Sequence, residues 1–202
     1  MKKLLVVFSL TLISFLFSNQ TFAQSTLTVQ GTYGFTNQTY ISKGIYGGGL
    51  QYRNFIKPNI AVGISGKYWM EEIKRDLSSK SIRGKATTIP VNLFAEYYFQ
   101  TEGIRTYAGL EAGANILKIE GYNIQIDKNV VRPGVAPKVG LVLPMGRRLS
   151  FTVELAYNII IGGANSILMD PLKPGNEKYE VKNSNQAVTA SGGITYIFGK
   201  KK

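Results

Sequence analysis

The sequence contains no cysteine and no histidine. Without cysteine there is no disulfide framework, no thiolate metal site and no cleavage-site residue to carry a lipoprotein anchor. Without histidine the commonest general base and the commonest metal ligand are both missing, so a Ser–His nucleophile or a His-containing protease site cannot be built. Beyond the first 23 residues the chain also lacks the apolar i, i+3, i+4 spacing of a long helix. What it has instead is glycine (22), tyrosine (12) and phenylalanine (10), with proline scattered. That balance points to an all-β chain, and 202 residues are enough for one domain with a real interior.

The chain opens with Lys2 and Lys3, an apolar run from Leu4 to Phe17 and a polar stretch ending at Ala23. This is the layout of a secretory signal peptide, and the run is short of the roughly 20 residues a spanning helix requires. The expected division is a cleaved signal at 1–23 and a single domain at 24–202. Loss of Lys2 and Lys3 lowers the formal charge from +12 to +10. A basic balance suits nucleic acid, but export makes that partner the wrong one, and anionic lipid headgroups are the natural counterpart.

From Gln24 onward, segments of period two recur at 27–35, 46–53, 60–69, 88–99, 106–115, 135–143, 151–161 and 186–198. The fourth is the clearest: Ile89, Val91, Leu93, Ala95, Tyr97 and Phe99 alternate with Pro90, Asn92, Phe94, Glu96 and Tyr98. Strand side chains alternate faces, so each segment has two distinct sides. One side carries no Asp, Glu, Lys or Arg in any of the eight. The other carries Arg53, Lys67, Glu96, Glu111, Lys138 and Glu154. Pro133, Pro137 and Pro144 bracket or interrupt the sixth segment, where a bulge is expected because proline cannot donate to a ladder.

A two-sheet sandwich has the same alternation, so the connections decide. They alternate long and short: 36–43, then 55–59; 71–86, then 100–103; 116–132, then 145–148; and finally 162–185. Short turns at one end and long loops at the other, with an even strand number, describe a membrane barrel with both mature termini on the periplasmic side. The aromatics fall in two groups, Tyr33, Phe35, Tyr46, Tyr68 and Tyr157 toward the long-loop ends and Tyr97, Phe99, Phe151, Tyr196 and Phe198 toward the turns. Two such belts suit two membrane interfaces. The expected fold is an eight-stranded antiparallel up-and-down transmembrane β-barrel, closed by the last strand pairing with the first.

The stretches IPVNLFAEYYF at 89–99, YAGLEAG at 107–113 and ITYIFG at 194–199 resemble the small outer-membrane β-barrel domain family, the OmpA/OmpX-like barrels of Gram-negative bacteria. The resemblance spans the whole mature chain. It implies an outer-membrane location, lipid and lipopolysaccharide as partners, and a structural or adhesive role; it adds no catalytic residue. It also implies that the closing strand, with Ile194, Tyr196 and Phe198, serves as the signal read by the barrel-assembly machinery.

An eight-stranded barrel is only wide enough for its own side chains. Six ionisable groups inside are costly unless paired, and Arg53, Lys67 and Lys138 balance Glu96, Glu111 and Glu154. They are expected to form an ion-pair network that plugs the barrel; a proton or small-solute path is the alternative use of such a lumen. No cofactor, metal or catalytic site is expected: Glu71-Glu72 read as solvated loop residues, and Gly47–Gly49 lack the lysine and helix of a phosphate loop. The 71–86 loop carries Lys74, Arg75, Lys80, Arg83 and Lys85 and is the candidate for contact with an anionic surface. The competing reading is a secreted soluble barrel binding an apolar ligand, which needs apolar side chains inside and charges outside. A detergent gel separates the two. The protein should fractionate with outer membrane and change mobility on boiling, whereas recovery wholly from soluble periplasm or medium contradicts the membrane barrel.

Overall fold

The computed structural model describes residues 24–36, 41–77, 80–121, 128–162, 165–169, 178–182 and 186–198; the expected signal at 1–23 lies outside them. Ten strands are present among the described residues: β1 (Ser25–Thr36), β2 (Ile41–Lys57), β3 (Ile60–Leu77), β4 (Lys80–Tyr98), β5 (Arg105–Gly121), β6 (Lys128–Pro144), β7 (Leu149–Ile160), β8 (Asn165–Met169), β9 (Lys178–Lys182) and β10 (Gln186–Phe198). Eight of them close into a barrel in which every strand is antiparallel to both its barrel neighbours; β10 pairs with β7 on one side and with β1 on the other, from Ser25↔Phe198 to Thr36↔Ala187. β8 and β9 form a separate two-stranded sheet. Closure leaves no unpaired edge on the barrel, which is what a strand assembly needs where no water can satisfy its backbone.

The two faces are those the alternation predicts. In β10 the burial alternates without a break over all 13 residues. Val29, Leu50, Ile64, Leu93, Leu110, Val139, Leu155 and Ile194 all project outward into the surroundings, while Thr28, Gln51, Ser65, Asn92, Glu111, Lys138, Glu154 and Thr195 are buried in the lumen. The protein is thus apolar outside and polar inside. An uninterrupted apolar exterior of this extent suits hydrocarbon rather than water.

Three features differ from expectation. The proline-rich β6 has no bulge. Its ladder to β7 skips two pairs at Pro137, but Val135↔Ile159 and Lys138↔Ala156 lie in the same register. Pro90 does the same to the β3–β4 ladder, between Gly66↔Val91 and Trp69↔Thr88. Each proline lacks a donor toward one neighbour only and stays paired to the other, Pro90 with Asn115 and Pro137 with Leu110, so no extra residue is needed. The register shifts fall in the β2–β3 ladder instead, one of them between Ile41 and Ile45. Gly44, with φ of 77°, supplies the left-handed backbone there.

Second, the connections expected at 71–86 and 116–132 are largely strand. β3 and β4 stay paired up to Leu77↔Lys80, and β5 and β6 up to Ile119↔Lys128. Third, the 162–185 connection contains β8 and β9. The barrel wall is consequently uneven: β2 to β6 run 17 to 19 residues, whereas β1, β7 and β10 have 12 or 13. A spanning strand needs about 9–11, so the tall strands stand well clear of an apolar band.

Trp69, the lone tryptophan, tests the inside-out arrangement because it faces the lumen and is 3 % exposed. In bilayers containing brominated lipid its fluorescence should be weakly quenched. Moving the indole one position, in a Tyr68→Trp/Trp69→Phe variant, should place it on the outer wall and make quenching strong. The reverse order contradicts the assigned faces.

Candidate functional site

The site with the most chemistry lies inside the barrel. Its members come from successive strands because each sits at an inward position of its own: Arg53 on β2, Lys67 on β3, Glu96 on β4, Glu111 on β5, Lys138 on β6 and Glu154 on β7. All six are buried. Lys138 is the centre. Its Nζ lies 2.7 Å from Glu96, 2.9 Å from Glu111 and 3.1 Å from Glu154. Lys67 Nζ reaches Glu111 at 3.1 Å and Glu154 at 3.3 Å. Arg53 Nε donates to Glu96 at 2.8 Å, and its Nη2 lies 3.8 Å from Glu154.

Neutral groups complete the coordination of the carboxylates. Tyr98 donates its hydroxyl to Glu96 at 2.9 Å and Tyr107 to Glu154 at 3.0 Å. Gln51 Nε2 donates to Glu154 at 3.1 Å, and Asn92 Nδ2 to Glu111 at 3.2 Å. Arg53 donates onward to Gln51 and, at 2.6 Å, to Thr28. Thr28 and Thr152 each share a hydrogen bond of 2.7 Å with Thr195. Through these contacts one network touches all eight barrel strands. Buried charge is tolerated when it is both paired and hydrogen-bonded, and here every carboxylate meets at least two cations.

Space for these side chains comes from glycine. Directly across the ladder from Lys67, Phe94, Glu96 and Tyr107 stand Gly49, Gly63, Gly109 and Gly140. A methyl group on Gly140 would approach the Tyr107 ring to 2.3 Å, and one on Gly109 would approach Glu96 Cγ to 2.9 Å. Large and absent side chains therefore alternate around the lumen at close packing.

The charged layer is covered at both ends. Toward the short turns, Phe55, Ala61, Tyr98, Tyr107 and Val142 form an apolar cluster. The Tyr98 ring centroid is 5.1 Å from both Phe55 and Tyr107, and the Arg105 guanidinium lies over Phe55 and Tyr98. Toward the tall strands, Trp69 of β3 packs with Ile45 of the adjacent β2 and Ala187 of β10. Just above that cover, Glu71 accepts a hydrogen bond from Thr36 at 3.4 Å. Burial pushes its carboxyl up to about 7, partly offset by the Thr36 hydroxyl, so the lumen mouth takes on a negative charge as pH rises through that value. Glu71 is not the solvated loop residue the sequence suggests; Glu72 beside it is exposed.

The remaining site residues lie apart from the lumen. Ile194, Tyr196 and Phe198 face outward on β10, with the last two rings edge to face at 4.9 Å. The basic candidates sit on the extended β3–β4 hairpin, where the register sets Lys74 opposite Arg83, Arg75 opposite Ile82, Leu77 opposite Lys80 and Glu72 opposite Lys85. The side chains of Lys74, Arg75, Lys80 and Arg83 lie outside the described residues. Sequence reasoning passed over the neutral partners and the aromatic covers. Tyr98, Tyr107, Gln51 and Trp69 all stood on the inward faces, and a lumen with no water to spare needs such groups.

No family model and no curated protein matches the chain. The fold is similar to that of several solved structures. The outer membrane protein OprG from Pseudomonas aeruginosa aligns over 88 % of this chain and 97 % of its own, with a TM-score of 0.71 at 13 % identity. The outer membrane protein AlkL, solved by solid-state NMR in lipid bilayers, aligns over 89 % and 92 % with a TM-score of 0.52 at 16 % identity. The attachment invasion locus protein Ail of Yersinia pestis, solved in complex with the heparin analogue sucrose octasulfate, aligns over 87 % and 99 % with a TM-score of 0.51 at 16 % identity. The chain thus has the fold of the small outer-membrane barrels.

Removing the central cation should expose the cost of the layer. A Lys138→Met variant leaves three carboxylates facing two cations and should lose about 3–5 kcal/mol of stability. A second change, Glu154→Gln, restores the charge balance and should recover part of the loss. Urea unfolding in detergent, followed by Trp69 emission, measures both; a neutral Lys138→Met variant contradicts the interdependence of the layer.

Proposed function

We propose that the protein is a non-enzymatic, non-conducting barrel of the outer membrane that works through its outer surfaces: as a structural element of the envelope, and by contact of the β3–β4 hairpin with anionic surfaces. The observation that carries this reading is the lumen, filled by three cations and three carboxylates in mutual contact and covered by apolar residues above and below. A filled lumen leaves the exterior as the working part. The apolar wall fits lipid, and the aromatic ends of the strands fit its two interfaces. The same arrangement counts against a soluble barrel with an apolar ligand, whose polarity would be reversed.

Contact with anionic surfaces draws on the five bases at 74, 75, 80, 83 and 85, carried on a ribbon that rises beyond the apolar band. The complex of Ail with a sulfated sugar is a parallel case on a similar fold. Lipid and lipopolysaccharide are the partners of the wall, and the closing strand with Ile194, Tyr196 and Phe198 is the segment offered to the assembly machinery. Both mature termini then face the periplasm.

Two measurements on the purified full-length protein test the reading. In planar bilayers it should give no stable, large conductance; a steady open channel sinks the plug. On a heparin-type matrix it should be retained at low salt and released as salt screens the contact. A Lys74→Gln/Arg75→Gln/Lys80→Gln/Arg83→Gln variant should elute at clearly lower salt, and unchanged retention removes the hairpin from the function.

A further inference from the structure

The 145–148 turn between β6 and β7 carries two adjacent arginines, Arg147 and Arg148, both exposed. The backbone fixes this turn from two directions: Met145 N–H donates to Leu149 at 3.0 Å, and Ile197 N–H donates to the Arg148 carbonyl at 2.8 Å. The Arg148 side chain does not extend away into solvent. Its Nη1 donates to the hydroxyl of Tyr196 at 3.3 Å, which draws the guanidinium onto the outer wall. Tyr196 stands directly across the ladder from Leu149, and Ile194 from Phe151. Leu149, Ile194 and Tyr196 are exposed on that wall, with Met145 at the turn. Among the described residues neither arginine has a carboxylate partner, and the other N–H groups of Arg148 are unengaged.

We infer that this corner binds the phosphodiester headgroup of an anionic phospholipid in the leaflet on the short-turn side. The inference rests on the barrel spanning a membrane as proposed above. A planar guanidinium matches phosphate oxygens in a bidentate fork, and tyrosine rings settle at headgroup level. Here the hydroxyl positions the guanidinium, a second arginine adjoins it, and the apolar strip of Leu149, Phe151 and Ile194 continues toward the bilayer centre for an acyl chain. The site commits to lipid because its charged and apolar parts lie on one line along the wall, the order in which a phospholipid presents them.

The test uses the full-length protein in phosphatidylcholine vesicles containing spin-labelled phosphatidylglycerol or spin-labelled phosphatidylcholine, comparing the motionally restricted fraction of each. Flotation with the vesicles after alkaline extraction, with a change of gel mobility on boiling, first confirms that the folded barrel has inserted; failure at that step counts against the membrane reading itself, and with it the site. Wild-type protein should favour phosphatidylglycerol, and an Arg147→Gln/Arg148→Gln variant should lose about fivefold or more of that preference at low salt. Tyr196→Phe should lower it less, by releasing Arg148. Lys57→Gln, at the end of β2 and two strands away from β10, should leave it nearly unchanged. Equal preference in wild type and double variant overturns the site, as does an equal loss with Lys57→Gln, which would mark diffuse charge instead of a built corner.

Discussion

The contact between one ammonium group and three carboxylates sets the terms for the rest of the molecule. Lys138 could not be buried without Glu96, Glu111 and Glu154, and three carboxylates could not share so small a volume without Lys67 and Arg53 on their other sides. Each of these residues belongs to a different strand, so the layer forms only when β2 to β7 are in register, and the threonine contacts extend the same condition to β1 and β10. A one-residue slip in any strand would turn its charge toward lipid. The charged layer is therefore better described as the device that fixes register than as a source of net stability.

Ordinary hydrophobic burial plays the opposite part from the one it has in a soluble domain. Most large aliphatic side chains lie outside and gain nothing from one another that lipid would not supply; Ile45 and Val142, in the two covers, are exceptions. What remains inside is mostly small, polar or aromatic, and several of the bulky groups, Lys67, Phe94, Glu96 and Tyr107 among them, face a glycine across the ladder. The aromatic layers at the two ends keep water from the ions, which strengthens each attraction and raises the cost of any unpaired partner. Glu71 marks the boundary of this dry region. It lies outside the Trp69 cover, and its partial burial at the mouth is what raises its proton affinity.

Much of the fold was legible because membrane strands write it twice, once as alternation and once as the segregation of charge. Glu96, Glu111 and Glu154 each fell on the uncharged face's opposite side in sequence, and each is in the lumen; the closing strand at 186–198 meets β1 as its pattern implied. Alternation fails as a guide where neither face has lipid to meet. In the 71–86 stretch charges stand at both parities, Glu71 and Arg75 on one and Lys74 and Asp76 on the other, so no apolar face is written there and those strand ends read as loops. The prolines misled for a different reason. Pro137 removes a donor on one side only, a fact about neighbours that a single strand cannot record. The pairing of Gly140 with Tyr107 is likewise invisible along the chain, because it joins positions 33 residues apart through a register that exists only in the closed barrel.

The unequal height of the wall has a mechanical meaning. β3 and β4 stay paired at every position from Trp69↔Thr88, just above the ion layer, to their tip at Leu77 and Lys80. A pull applied at that tip along the strands does not peel one rung at a time. It loads the neighbouring ladders in shear, where many rungs resist together, and below the tip Lys67 and Glu96 tie the two strands into the ion layer. Tension at the tip would therefore be carried along both strands into the ion layer rather than spent in the hairpin itself.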